Sequence, residues 1–460
     1  MRLRKLLTVS LAVVLGSLAL SAAPPAIAKP DKDLPDCSEP WLRAEDYDKH
    51  DRASLHGVEY RAKRSSRDVE PGTDKSWRRV GDCRPKASFA YFSYWGYGDR
   101  DYWVADIAES GNAENLTTIM YAFAGVQDGE CVLDPNTDAD WEMPIDAEHS
   151  VDGVADDPDQ ELKGHFNQLL KLKELYPHLS VTLSVGGGTW SQGFSDVDGE
   201  WAAFADSCAA LIEDPRWEGL FDGVDIDWKT PNFCPGWGTY CDESGPGVMV
   251  DMLRELRRAL GEDAVISVAT PVNTWEGNHL DSTDWVGASE YADHYNMLSY
   301  YYHGSWEPER IGNHAPLYWT EGQPAEPLSI EETVDWYLDH GMDPEKLNLG
   351  FSLAAQGWTG VDDPAVGSSA TGLAEGQYET DPGYADWNWI SERCPANGVD
   401  GGTAHCWNGE DWWSYDSVET VALKVDWAME KGLGGVWAWE LSNDNDEGEF
   451  FGQIRESLYD

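Results

Sequence analysis

The chain has 460 residues and carries 84 Asp and Glu against 32 Lys and Arg, a formal net charge of −52. Such a surface repels nucleic acid and anionic membranes; it suits a neutral ligand, or a salty medium in which self-repulsion is screened, although an ordinary acidic secreted protein kept soluble by its charge has the same composition. At this length the chain exceeds one ordinary domain and has room for a large barrel plus a small module.

The chain opens with MRLRK, the apolar run LLTVSLAVVLGSLALSAA and the small residues Ala26-Ile27-Ala28. That order is the n-region, h-region and cleavage site of a secretory signal peptide, expected to be cut after Ala28. A membrane anchor competes, but Pro24-Pro25 breaks the run and the A-x-A site favours export. The mature protein is therefore expected to be extracellular and free of the membrane. Eight cysteines in an exported chain suggest disulfides rather than metal ligation or redox chemistry. Many pairings are possible. Local spacing suggests Cys37 with Cys83, Cys234 with Cys241 and Cys394 with Cys406, which leaves Cys131 with Cys208.

Residues 29–86 hold 14 basic and 13 acidic residues, whereas 87–460 hold 15 basic and 71 acidic. The first segment has short strand-like runs, a His56-Gly57 turn and bracketing cysteines. It is too small for a substantial core without a staple, which Cys37–Cys83 would supply.

From residue 87 one theme repeats: a short apolar or β-branched run, a loop, then a segment of helical period. The runs are SFAYF from Ser88, TIMYAF from Thr118, SVTLS from Ser180, GVDIDW from Gly223, AVISVA from Ala264, HYNMLSY from His294, LNLGF from Leu347 and GVWAW from Gly435. Strands alternating with helices in this number predict a closed (β/α)8 barrel, the TIM-barrel architecture. Three apolar helix faces agree with it: Phe166, Leu169, Leu172 and Tyr176; Met249, Met252, Leu253, Leu256 and Leu260; Val418, Val421, Ala422, Val425 and Met429. A doubly wound open sheet would show a Gly-rich phosphate-binding turn after the first strand, and none is present. The Gly/Asp/Trp-rich stretch at about 358–412 is too long for a simple loop. It reads as a small α+β insertion before the eighth strand, on the loop face where such barrels build their sites.

The fourth strand reads FDGVDIDWKTP from Phe221. Alternation along a strand turns Asp225, Asp227 and Lys229 into the barrel and Val224, Ile226 and Trp228 toward the helices. Carboxylates so placed are costly unless they work or are paired, so a salt-bridged structural triad is the competing reading.

This strand, with SVGG at Ser184–Gly187, YHGSW from Tyr302 and GLGGVWAWELSND near the end, resembles family 18 glycoside hydrolases, the chitinase family. FADSCAALIEDPRWEGLFDGVDIDW and CPGWGTYCDESG are similar to secreted actinomycete chitinases. The resemblance implies cleavage of β-1,4-linked N-acetylglucosamine by a substrate-assisted route, in which the sugar's own acetamido oxygen attacks the anomeric carbon. It implies that Asp227 orients the acetamido group and that the general acid's place is Lys229. It further implies Asp225 as the deeper aspartate, Ser184 and Tyr91 as its polar company, Tyr300 as a hydrogen-bond donor to the acetamido group, and Trp439 as the platform under the sugar. No cofactor or metal is implied.

Several positions depart from the family pattern. A lysine ammonium, with an ordinary pKa of about 10.4, is mismatched as a proton donor near neutral pH. MTYD is here Leu298-Ser299-Tyr300-Tyr301, so Tyr301 replaces an aspartate in the cleft. Gly188 stands where many members have a platform tryptophan, and Ala354-Ala355-Gln356-Gly357-Trp358 replaces YGRGW. Residues 62–72, AKRSSRDVEPG, are similar to family 5/12 chitin-binding modules, with Arg64-Ser65 in place of the exposed tryptophan pair; Trp41, Tyr60 and Trp77 belong to the module's core. The expected protein is a secreted, monomeric chitinase-like protein that binds chitin, chitooligosaccharides or related N-acetylglucosamine glycans without efficient hydrolysis. An active chitinase or endo-N-acetylglucosaminidase with another acid, such as Glu307 or Glu440, is one alternative, and an interaction scaffold with a vestigial sugar site is another.

Overall fold

The computed structural model describes residues 34–234, 241–272, 280–323 and 328–459. The signal-peptide reading of residues 1–28, and residues 235–240 of CPGWGTYCDESG, lie outside the described residues. Residues from Leu34 onward form one compact unit.

Strands β1 (Arg52–Leu55), β2 (Val58–Ala62) and β3 (Trp77–Asp82) make a small antiparallel sheet. His56 and Gly57, at φ 47° and 70°, form the two-residue turn between β1 and β2, the left-handed geometry that matches strand twist in a hairpin. Trp41, Tyr47, Ala53, Ala62 and Trp77 form the core of this sheet, with Tyr60 packed at its margin. Arg455 meets Glu39 at 2.9 Å and Arg84 pairs with Glu345, tying the sheet to the rest of the chain.

The barrel strands are β4 (Ala87–Ser93), β5 (Thr118–Gln127), β7 (Ser180–Gly186), β8 (Gly223–Asp227), β9 (Val265–Thr270), β10 (His294–Met297), β11 (Leu347–Ser352) and β18 (Gly435–Trp439). All eight predicted runs are strands. They pair in parallel in sequence order, and β18 pairs with β4, which closes the barrel; β6 (Glu130–Leu133) adds antiparallel to the end of β5. The strands are buried on both faces, as a parallel sheet under helices requires.

The helix Gly164–Leu175 buries Phe166, Leu169 and Leu172, and the helix Val248–Leu260 buries Met249, Met252, Leu253 and Leu256; Tyr176, just past the first helix, and Leu260 are half-buried. Helix Val418–Glu430 buries Val421 and Val425, and between them Lys424. That ammonium is 1% exposed and donates to both oxygens of Asp416, at 2.6 and 2.7 Å, and to the Ala315 carbonyl at 2.6 Å. A buried charge persists only when so completely paired.

Between β11 and that helix stands an antiparallel sheet of β12 (Ala354–Thr359), β13 (Gly372–Leu373), β14 (Tyr384–Asp386), β15 (Gly398–Asp400), β16 (Thr403–Trp407) and β17 (Trp412–Tyr415), with one helix, Trp387–Arg393. This α+β insertion extends past both ends of the run 358–412, because β12 starts two residues after β11 and pairs with β17. Trp358 and Trp412 pack with Ile311 and Val361 beneath it. All eight cysteines are bonded, Cys37–Cys83, Cys131–Cys208, Cys234–Cys241 and Cys394–Cys406, in the pairs that spacing suggested. Among the described residues no helix is long and apolar enough to cross a membrane.

Candidate active site

The site opens at the C-terminal end of β8. Asp225 is fully buried inside the barrel. Its Oδ2 accepts from the Tyr91 and Ser184 hydroxyls, both at 2.7 Å, and its Oδ1 from Ser267 at 2.6 Å and from Asn296 Nδ2 at 3.5 Å. Burial pushes the Asp225 carboxyl up to about 6, although these hydroxyl donors favour the ionised form. Ser267 and Asn296 were not singled out in the sequence. Their signal was a small polar residue at an inward position of an otherwise apolar strand.

Asp227 lies two residues further along the same face and is 2% exposed. Lys229 reaches back to it: Nζ lies 2.7 Å from Oδ1 and 2.9 Å from Oδ2, with one third of the lysine side chain exposed to the cleft. The Lys229 backbone N–H donates to Ser191 Oγ at 3.2 Å, and that hydroxyl lies 2.9 Å from the Asp227 carbonyl. The β7 end must be glycine here. A Cβ on Gly186, at φ 114°, would stand 2.4 Å from the Asp227 carbonyl oxygen. Trp228 turns away to the helix layer and stacks on Phe194 at 5.1 Å.

Asp227 and Lys229 form the floor of a cleft of about 370 Å³. Its walls are aromatic: Tyr91, Phe123, Tyr300, Tyr301, Trp437 and Trp439. Trp439, at the end of β18, is half-buried and lies parallel to Phe123, with ring centroids 5.9 Å apart and an interplanar angle of 13°. Trp95 continues the aromatic row, 6.1 Å from Phe123. Neither Phe123 nor Trp95 was legible as a site residue, because only barrel closure brings β4, β5 and β18 together. Tyr300 packs on Trp437 at 5.7 Å, and burial raises its hydroxyl well above the ordinary tyrosine range. Tyr301 takes a left-handed backbone, φ 58°, and its ring lies 4.9 Å from His314. Burial pushes the Tyr301 hydroxyl up to about 12, so it is neutral at physiological pH. Gly188 also borders the cleft and is exposed, which leaves that wall without a platform.

The two other acids stand away from the cleft lining. Glu440 is buried behind Trp439, accepts from the Ser93 hydroxyl and lies 3.6 Å from Arg100. Arg100 is itself held by Asp386 of the insertion at 3.1 and 3.3 Å. Burial pushes Glu440 up to about 7 against the pull of Arg100. Glu307 receives or shares the His303 Nδ1 contact at 3.0 Å.

A closed parallel barrel with buried carboxylates and an aromatic cleft at the C-terminal mouth has its candidate site where such barrels build theirs. Residues 87–444 match the profile of Glycosyl hydrolases family 18, and the chain belongs to this family. It is 40% identical to Chitinase C of Streptomyces lividans over 368 residues, 80% of this chain and 58% of that one. It is also 40% identical to Chitinase 63 of Streptomyces plicatus over 375 residues, 81% of this chain and 60% of that one. The chain thus spans less than two thirds of the length of these relatives. The catalytic domain of psychrophilic chitinase B from Arthrobacter TAD20 superimposes with a TM-score of 0.74 at 30% identity, covering 81% of this chain and 95% of that one.

Proposed function

We propose that this is a secreted chitinase-like protein that binds N-acetylglucosamine-containing oligosaccharide or polysaccharide in the cleft and hydrolyses it inefficiently or not at all. The observation that carries this reading is the Lys229–Asp227 ion pair. In the substrate-assisted route the leaving oxygen needs a proton, and a positioned general acid contributes typically about 10²–10⁴-fold. Lys229 stands where that acid acts in the family. Its fixed positive charge opposes the cationic character that develops at the anomeric carbon. It also occupies both oxygens of Asp227, the group assigned to hold the acetamido N–H.

The binding half of the site is kept. Axial C–H groups of a sugar pack on the Trp439 face, and the Tyr300 hydroxyl and Asp227 give polar edges for the acetamido group. The relatives named as chitinases support the ligand class. Isothermal calorimetry with soluble N-acetylated chitooligosaccharides tests the reading: weak binding is expected, and its absence at both low and high salt would refute it.

The wider assignments belong to the same proposal: a signal peptide at 1–28, a module at 29–86 and a barrel at 87–460 with its insertion at about 358–412, acting as an extracellular monomer without cofactor. The module is not expected to retain chitin. Arg64 is tied to Ser76 at 2.9 Å and to Asp74 at 3.3 Å, and the Ser65 hydroxyl to Asp48 at 2.8 Å, so a polar surface stands where stacking rings would be needed. A second reading, a residual hydrolase with Glu440 as acid, has only the upward push of burial on that carboxyl in its favour. Glu440 is itself buried and stands outside the cleft lining, which counts against it.

A further inference from the structure

The small sheet differs in charge from the rest of the chain, and its cations are arranged. Arg52 pairs with Arg61 across β1 and β2, and Arg61 pairs with Arg78 across β2 and β3. Directly paired residues of antiparallel strands project to one face, about 4.5–5.5 Å apart at Cβ. Three arginines therefore stand in one line across the sheet, on the face opposite Ala53, Ala62 and Trp77, which enter the core. Arg52 and Arg78 are exposed and Arg61 is half-buried. Lys63 and Lys75, both exposed, flank the row in the chain.

The row is only partly neutralised. Arg52 is paired with Glu59 at 3.3 Å, a buried carboxylate that also accepts from the Ser38 N–H and hydroxyl. Arg61 Nε donates to the His50 carbonyl at 3.2 Å. Arg78 is held through its backbone in the β2–β3 ladder, and its guanidinium makes no hydrogen bond or ion pair with the described residues. The neighbouring Arg64, Arg67 and Arg79 have carboxylate partners of their own in Asp74, Asp46 and Asp82. Like charges directly opposite on a sheet destabilise it, and a ligand's counter-charge would reverse that cost.

We propose that this face binds an anionic polysaccharide, a chain bearing one carboxylate or sulfate per sugar or per few sugars. A guanidinium matches either oxyanion with two parallel hydrogen bonds, and a flat row suits an extended chain. Nucleic acid fits less well. Its charge density, about one charge per 1.7 Å of duplex, multiplies the repulsion by the acidic barrel. Salt at about 0.1 M screens both ligands alike, and a glycan with fewer charges per unit length meets proportionately less of what remains. This inference is independent of the cleft.

The test uses the full-length protein in about 0.1 M salt, with polygalacturonate and κ-carrageenan as probes and neutral dextran and a DNA duplex as comparisons. Wild type is expected to bind polygalacturonate, κ-carrageenan or both, and which of them assigns the anionic group. Arg61→Gln/Arg78→Gln should weaken that binding about tenfold or more. It should leave chitooligosaccharide binding unchanged and the thermal midpoint equal or higher. Arg43→Gln/Lys49→Gln, the same charge change elsewhere on the segment, should change it less than about twofold. The proposal is overturned by failure to bind either anionic glycan, by equal loss in both double variants, or by tighter binding to DNA. It is also overturned if the face instead mediates self-association, seen as a mass change by light scattering that Arg61→Gln/Arg78→Gln abolishes.

Discussion

Lys229 grips Asp227 through both carboxylate oxygens, its ammonium 2.7 Å from Oδ1 and 2.9 Å from Oδ2. Asp227 is the last residue of β8, and Lys229 stands in the bend just past it, where its backbone N–H is held by Ser191 Oγ at 3.2 Å. Oδ1 has no hydrogen bond even with the lysine present, so removing Lys229 takes from a buried carboxylate both its counter-charge and its donor to Oδ2. Since Asp227 is buried but Lys229 is one third exposed, the cost falls between those of buried and surface pairs. Lys229→Met should lower stability by about 1–3 kcal/mol in urea unfolding at pH 7.

Trp439 presents one face to Phe123 and borders the cleft with the rest of its ring. Trp439→Ala should raise the calorimetric Kd for chitooligosaccharides at least about tenfold, because the platform supplies most of the apolar contact. Trp439→Phe should restore part of the loss.

Glu440 supplies a pH signature. Its folded carboxyl is raised from an ordinary 4.5 to about 7, so the native state prefers it protonated. A raised folded pKa contributes stability that is present below the unfolded value and lost as pH rises through the folded one. Gln mimics the protonated form throughout. The difference in thermal midpoint between Glu440→Gln and wild type should therefore grow in the variant's favour between about pH 4.5 and 7.5 and level off above. A difference that shrinks over that range would show that the Arg100 contact outweighs burial.

Tyr301 holds a left-handed backbone, a conformation that aspartate adopts more readily than tyrosine. Tyr301→Asp should therefore fold. Lys229→Glu restores a proton donor without its surroundings, and groups that act as a unit are not additive. The double variant Lys229→Glu/Tyr301→Asp should exceed the product of the two single effects on kcat/KM for a chitooligosaccharide.

What the sequence made legible follows from periodicity. Eight short apolar runs separated by helical faces gave the barrel, and alternation along GVDIDWK put Asp225, Asp227 and Lys229 on one face. Contacts made between strands, by register or by closure, were not legible. Ser267 and Asn296 reach Asp225 from β9 and β10, and Phe123 meets Trp439 across strands separated by most of the chain. The arginine row is of the same kind. Arg52, Arg61 and Arg78 are unremarkable along the chain and align only through strand register. Lys424 shows the converse, a charge inside an apolar helical face whose partner, Asp416, lies eight residues upstream in the connection between β17 and that helix.

On the proposed reading the cleft still binds acetamido sugars although Lys229 stands in place of the acid. Calorimetric binding and product release, followed for the same N-acetylated chitooligosaccharide on wild type and on Lys229→Met, test both halves of this together. Detectable binding with no measurable hydrolysis by either protein is the predicted result. Robust turnover by wild type that survives in Lys229→Met would contradict it, because another residue would then be supplying the proton.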